Sequence, residues 1–255
     1  MNGPPRPGPA SPDPGAAPAG DGPGEPPAVA AEVFGDRLPL AVRYAALLAG
    51  PGRDQGVIGP RELPRLWDRH LVNSAVIGRV VPQDASVLDV GSGAGLPGVP
   101  LALARPDLSM TLLEPMARRV AWLEGVAAEL GLTLAVVRGR AEERETRRHC
   151  EGSDVVTARA VAPLGRLVTW CLPLVRPGGV LAAMKGASAR DEVRRDARDI
   201  RAAGGGDVEV VECGVGDAAT NVVVVHRTQR RTPADAGSGP GSGRRGRGRE
   251  DRPRD

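Results

Sequence analysis

Apolar residues first recur at helical spacing in Leu40, Tyr44, Leu47 and Leu48, on one side of a helix that Gly50-Pro51-Gly52 is expected to stop. After a polar loop, Pro60 opens a second helical pattern, with Leu63, Leu66, Trp67, His70, Leu71, Ser74 and Ile77 along one side. Arg61, Arg65, Asp68, Arg69 and Arg79 fall mostly on its other faces. From Ala85 the period changes. Short runs rich in Val and Leu recur at Ser86 to Val90, Met110 to Leu113, Leu134 to Val137, Val155 to Thr157, Val180 to Met184, Val208 to Val211 and Val222 to Val225. Helical stretches fall between most of them: Leu101 to Arg105, Ala117 to Leu130, Leu164 to Val175 and Arg190 to Ala203.

Strands that are apolar through their length belong to a sheet covered on both faces. Their alternation with helices predicts an α/β fold with a mostly parallel, doubly wound sheet of about seven strands. The short connection between the last two runs allows an antiparallel hairpin at the edge. Residues 33–84 form a helical lead-in and 85–229 the core, together one domain.

Composition sets the limits of that domain. Met1 to Glu32 holds 10 Pro and 6 Gly, and Arg230 to Asp255 holds 8 Arg and 6 Gly with no large apolar residue. Neither segment has enough apolar surface to offset its conformational entropy, so residues 1–32 and 230–255 are expected to be disordered tails. No run approaches the ~20 apolar residues of a membrane span, and Pro stands where a signal peptide needs an apolar stretch. Cys150, Cys171 and Cys213 are scattered and odd in number, which fits neither a disulfide framework nor a metal site. A cytoplasmic location follows as the expectation. The formal net charge of +3 divides into −3 for residues 1–32, +2 for 33–229 and +4 for 230–255, leaving the domain nearly balanced. Lys185 is the only lysine.

The densest chemical signal is Val87-Leu88-Asp89-Val90-Gly91-Ser92-Gly93-Ala94-Gly95-Leu96-Pro97-Gly98, a strand, a glycine turn and a helix start. Glycine lets the main chain turn sharply and approach a ligand without an intervening Cβ. Glu114 ends the next strand about 20 residues on, where ribose hydroxyls are bound in such folds. A carboxylate there accepts hydroxyl protons and repels a 2′-phosphate, which disfavours NADP; the bland alternative is a solvated strand-end acid. Asp89 at the head of the loop suits a ligand bearing an ammonium and a sulfonium better than a pyrophosphate, favouring S-adenosylmethionine over NAD. Gly91, Gly93 and Gly95 behind Asp89 look like the first motif of Rossmann-like class I methyltransferases. The third strand leads into Arg138-Gly139-Arg140-Ala141-Glu142-Glu143, either an adenine-side contact or a solvated charged loop.

Taken together, Asp68-Arg69-His70-Leu71, Leu88 to Leu101 with its Gly-Leu-Pro-Gly extension, Ala158-Arg159-Ala160 and Met184-Lys185-Gly186 resemble the RsmG family, also called glucose-inhibited division protein B. The resemblance runs from Val33 to Gln229 and excludes both tails. It implies methylation of N7 on one guanine of 16S rRNA with S-adenosylmethionine as cofactor. It further implies cofactor contacts at Gly91, Leu96, Glu114, Ala141, Glu142 and Arg159. Two departures stand out: Ala158 replaces the family's Ser, and Glu114 stands where many relatives carry Asp.

Guanine N7 has an in-plane lone pair and no proton, so attack on a sulfonium methyl needs alignment and no general base. No catalytic acid or base is assigned accordingly. Lys185 and Arg159 fall at strand ends on the ligand edge. Lys185 either neutralises an RNA phosphate or meets the guanine, or is a plain surface charge; Arg159 contacts the cofactor carboxylate or holds the target loop. His70 is a candidate substrate-side residue, against the simpler reading of a satisfied core or rim histidine. The five aromatics form no stacking platform, and Arg244-Arg245-Gly246-Arg247-Gly248-Arg249 is either a phosphate-binding or a solubilising tail. The expected partner is 16S rRNA or the small ribosomal subunit, with no membrane and no metal. The sequence sets no oligomeric state. The alternative function is methylation of a small metabolite, which the near-neutral domain permits.

Overall fold

The computed structural model describes residues 22–228 except Val215. Seven strands form one sheet in the order β3-β2-β1-β4-β5-β7-β6. They are β1 Ser86–Val90, β2 Ser109–Glu114, β3 Ala135–Arg138, β4 Ser153–Arg159, β5 Val175–Lys185, β6 Gly205–Cys213 and β7 Thr220–Arg227. The first five pair in parallel, and β7 runs antiparallel between β5 and β6. Each apolar run named above lies wholly or largely within a strand. The chain reverses order after β1, so a crevice opens at the carboxyl ends of β1 and β4.

Period-two alternation divides each strand between two cores. Val222 and Val224 of β7 face one, with Val87, Ala182 and Met184; Val223 and Val225 face the other, with Leu88, Leu181 and Ala183. The first core is closed by α1 (Ala28–Phe34), α2 (Leu38–Leu47), the helical turns of Pro60–Val80, α4 (Gly98–Ala104) and α5 (Ala117–Leu130). Within Pro60–Val80, only Asn73–Ala75 is regular α-helix, here α3. The second core is closed mainly by α6 (Arg144–Cys150), α7 (Leu164–Cys171), α8 (Ala189–Arg195) and α9 (Ala197–Ala202). The α5 helix ends on Gly131, whose left-handed φ of 63° provides the C-terminal stop.

Several expectations need correction. The segment assigned to a tail through Glu32 already includes the start of α1, whose Ala30 and Phe34 are buried against the lead-in. Gly50-Pro51-Gly52 does not stop α2 at once: the chain continues through a wide helical turn, Leu48–Gly52, that seats Gly52 against Trp122. The helix expected to reach Val175 ends at Cys171, and Val175 opens β5. The remainder of the two expected tails, 1–21 and 229–255, lies outside the described residues.

Candidate functional site

The turn after β1 is built from glycines with φ of 72° at Gly91, 58° at Gly93 and 106° at Gly95. Only Gly adopts these without strain, and two of the sites are also crowded. A Cβ on Gly91 would stand 2.8 Å from Val161 Cγ2, and one on Gly95 would stand 2.8 Å from the Tyr44 hydroxyl. Gly93 faces more open space, its nearest side-chain atom being Arg119 Nη1 at 3.9 Å from the would-be Cβ. The Gly91 and Ser92 N–H groups donate to the Leu113 carbonyl, and Leu96, half-buried, donates its N–H to Ser92.

Two side chains from different helices fix the middle of this turn. The Tyr44 hydroxyl and the Trp122 indole N–H each donate to the Ala94 carbonyl, both at 2.9 Å. Tyr44 is wholly buried, and burial raises its phenol above the usual range. Sequence reading placed Tyr44 on the apolar side of its helix, gave Trp122 no site, and missed this role for both, since their partner lies 50 and 28 residues away.

Glu114 reaches the turn from the end of β2. Its Oε2 accepts the Gly93 N–H at 2.9 Å and its Oε1 the Met116 N–H at 3.0 Å, and the residue is 1% exposed. It is therefore not a solvated strand-end acid. Its main-chain carbonyl accepts the Gly139 N–H at 3.3 Å, and the β2–β3 register pairs Glu114 with Arg138. This brings the turn after β3 alongside, with Ala141 buried and Glu142 exposed.

Asp89 does not face the ligand side as expected. It is fully buried, with Oδ2 accepting the Gly98 N–H at 3.1 Å and Oδ1 accepting the Thr157 hydroxyl at 3.1 Å. Burial pushes its carboxyl up to about 6, opposed by the hydrogen bonds from Ser92, Gly98 and Thr157. The signal was present in the sequence: Asp89 and Thr157 are polar interruptions of two apolar runs, and they lie opposite one another in the β1–β4 register.

Arg159, at the end of β4, turns toward the lead-in. Its guanidinium donates to Ser74 Oγ at 2.9 Å, to the Arg69 carbonyl at 2.8 Å and to His70 Nδ1 at 3.0 Å. His70 Nε2 in turn meets Glu62 Oε2 at 2.7 Å. Desolvation lowers the affinity of His70 for a proton, outweighing the Glu62 bond. Thus two separated motifs, Asp68-Arg69-His70-Leu71 and Ala158-Arg159-Ala160, meet through one chain of side chains that begins at Glu62, a residue sequence reading did not single out.

Lys185, at the end of β5, does not project freely. Its Nζ donates to the Ala162 carbonyl at 2.9 Å and pairs with Glu192 at 3.0 Å, and both side chains are largely buried. Its first duty is to hold the turn after β4, where Ala160 takes a strained φ of 55°. A cavity of about 760 Å³ opens over the ends of β4 and β5, lined by Arg65, Asp68, Arg69, Arg159, Met184 and Lys185 among others. Among the described residues no three His, Cys, Asp or Glu side chains gather as a metal site, and no helix is long and apolar enough to cross a membrane.

The model of the family described as rRNA small subunit methyltransferase G matches residues 37–221. The chain belongs to this family. It is 53% identical to the ribosomal RNA small subunit methyltransferase G of Corynebacterium jeikeium over 206 residues, covering 80% of this chain and 93% of that one. It is 50% identical to the protein of the same name from Rhodococcus jostii, covering 80% and 92%. A solved structure described as a putative O-methyltransferase from Nostoc punctiforme superposes with a TM-score of 0.50 at 14% identity, covering 61% of this chain and 56% of that one, a likeness of fold alone. The family's match takes in the glycine turn, Glu114, Arg159, Lys185 and the lead-in from Arg37 onward, and leaves out the first 36 residues.

Proposed function

We propose that this chain transfers a methyl group from S-adenosylmethionine to N7 of a guanine in 16S rRNA, with the small ribosomal subunit or its RNA as partner and the cytoplasm as its place of work. Family membership across residues 37–221 carries the reading. It removes the ground for the small-metabolite alternative, which rested only on a near-neutral domain.

The residues present fit such a cofactor. The glycine turn leaves main chain bare around Gly93, and beside it Arg119 Nε is buried with no hydrogen-bond partner among the described residues. Gly91, Leu96, Glu114, Ala141, Glu142 and Arg159 would hold the cofactor. Glu114 keeps lone pairs beyond the two taken by Gly93 and Met116, so one side chain both shapes the turn and receives ribose hydroxyls. When bound, the cofactor supplies an electrophilic sulfonium methyl.

The protein then has to position and desolvate. N7 carries no proton, so no side chain has to remove one. Arg65, Arg69 and Arg159 give the cavity a positive field suited to the phosphates flanking a target base. Arg159 is held rigid from three sides by Ser74, Arg69 and His70.

The test is incubation with methyl-labelled S-adenosylmethionine and small subunits lacking the modification, followed by nucleoside mass spectrometry. One 7-methylguanosine in 16S rRNA is the expected product. Label appearing only in protein or small molecules would overturn the proposal.

A further inference from the structure

The cavity over β4 and β5 is cationic apart from one acid. Arg65, Arg69 and Arg159 line it, and none of them forms an ion pair among the described residues. Asp68 lines it too, half-buried, and its carboxylate takes part in no hydrogen bond or ion pair among the described residues. Three other polar side chains there are engaged. Lys185 is paired with Glu192, Asn73 donates to the Ala218 and Ala219 carbonyls, and Asn221 donates to Gly186. A free carboxylate is an odd lining for a hole that accepts a polyanion. It repels phosphate and gains only from a donor-rich partner.

We infer that Asp68 is a specificity-determining residue that accepts the N1–H and N2–H groups of the target guanine. This assignment rests on the guanine-N7 reading given above. Guanine is the one common base that presents two adjacent donors on its Watson–Crick edge, a match for the two oxygens of one carboxylate. Adenine, cytosine and uracil each set an acceptor beside their donor and meet repulsion there. The geometry of the base makes this edge suitable: N1 and the exocyclic N2 amine lie on the six-membered ring's outer edge, and N7 belongs to the five-membered ring on a different edge. A carboxylate holding the first edge leaves N7 free to point toward the glycine turn. Enzymes that extrude a base read it through that same edge. The β4 turn links the two halves of this arrangement, since Ala160 lines the cavity and the next residue, Val161, packs on Gly91.

The experiment compares full-length wild type with Asp68→Asn and Asp68→Ala on small subunits reconstituted with guanosine or with inosine, which lacks the N2 amine, at the target position. Wild type is expected to prefer guanosine over inosine by roughly tenfold to hundredfold in kcat/KM. Both variants are expected to lose a similar factor on guanosine and to bring the ratio close to one, while S-adenosylhomocysteine affinity and melting temperature stay unchanged. Asp68→Glu is expected to restore part of the preference. A wild-type guanosine preference retained in Asp68→Ala would overturn the role of Asp68 alone. Failure of wild type to methylate N7 on guanosine subunits would overturn the underlying reading and this assignment with it.

Discussion

Arg159 Nη2 stands 3.0 Å from Nδ1 of His70, joining residues 89 positions apart. A guanidinium can only donate, so Nδ1 must present its lone pair, and the ring proton sits on Nε2, where it is donated to Glu62 at 2.7 Å. His70 is thereby a neutral imidazole. Nitrogen-detected NMR at pH 7 is expected to show the Nε2–H tautomer, titrating below the ordinary histidine range because burial disfavours its cation. The unfolded chain then binds the extra proton first, so stability falls as pH drops below about 6.5. A His70 ring found doubly protonated at pH 7 would contradict this wiring.

Glu114 and Gly91 answer to ligand affinity. In Glu114→Gln one of the two backbone N–H groups faces an amide donor, so the turn loosens and S-adenosylhomocysteine binding is expected to weaken by about 1–3 kcal/mol. Gly91→Ala combines a left-handed backbone with a Cβ 2.8 Å from Val161 and should lose most of the affinity. Calorimetry on both variants checks this, and unaltered affinity in the pair would move the cofactor elsewhere.

Asp89 makes a pH-dependent prediction of opposite sign to that of His70. Its folded pKa of about 6 lies above the unfolded value, so the native state takes up the proton first. The contribution of this group is fully present below about pH 4 and is lost as pH rises through 6, on the order of 3 kcal/mol. Asn at this position can accept from Gly98 and donate to Thr157 without charge. The stability of Asp89→Asn relative to wild type, measured by urea unfolding, is therefore expected to improve between pH 4 and pH 7; a difference flat with pH would refute the buried-carboxylate account.

Lys185 separates structural from RNA-binding duty. Its removal takes the nearer cation from Glu192, a largely buried acid that also accepts the Leu164 N–H, and leaves Arg195 at 4.0 Å. Lys185→Met is expected to cost about 2–4 kcal/mol by thermal unfolding. A melting point equal to that of wild type would return Lys185 to the status of a free surface cation.

Periodicity made the sheet legible. Each of the seven apolar runs lies wholly or largely within a strand, and Ala117–Leu130 agrees residue for residue. It failed where a helix has no apolar stripe. The α6 helix buries only Thr146 and Cys150, so its charged sequence gave no sign of it. The site was legible in its residue types but not in their partners. Glu114 was marked for a ligand and is also clamped to Gly93, and Lys185 was marked for RNA and is paired with Glu192. Hydrogen bonds between distant positions leave no period to read; only the coincidence of polar breaks in neighbouring strands, as at Asp89 and Thr157, gives a trace.

The double grip on the Ala94 carbonyl sets a lower limit on the working enzyme. A fragment starting at Ser86 would keep every glycine of the turn, Asp89, Glu114 and the whole sheet, yet one of the two hands on that carbonyl, Tyr44, would be gone. Ser74, Arg69 and His70, which brace Arg159, would go with it. The doubly wound half cannot be transplanted alone; whoever shortens or grafts this protein has to begin upstream of Tyr44.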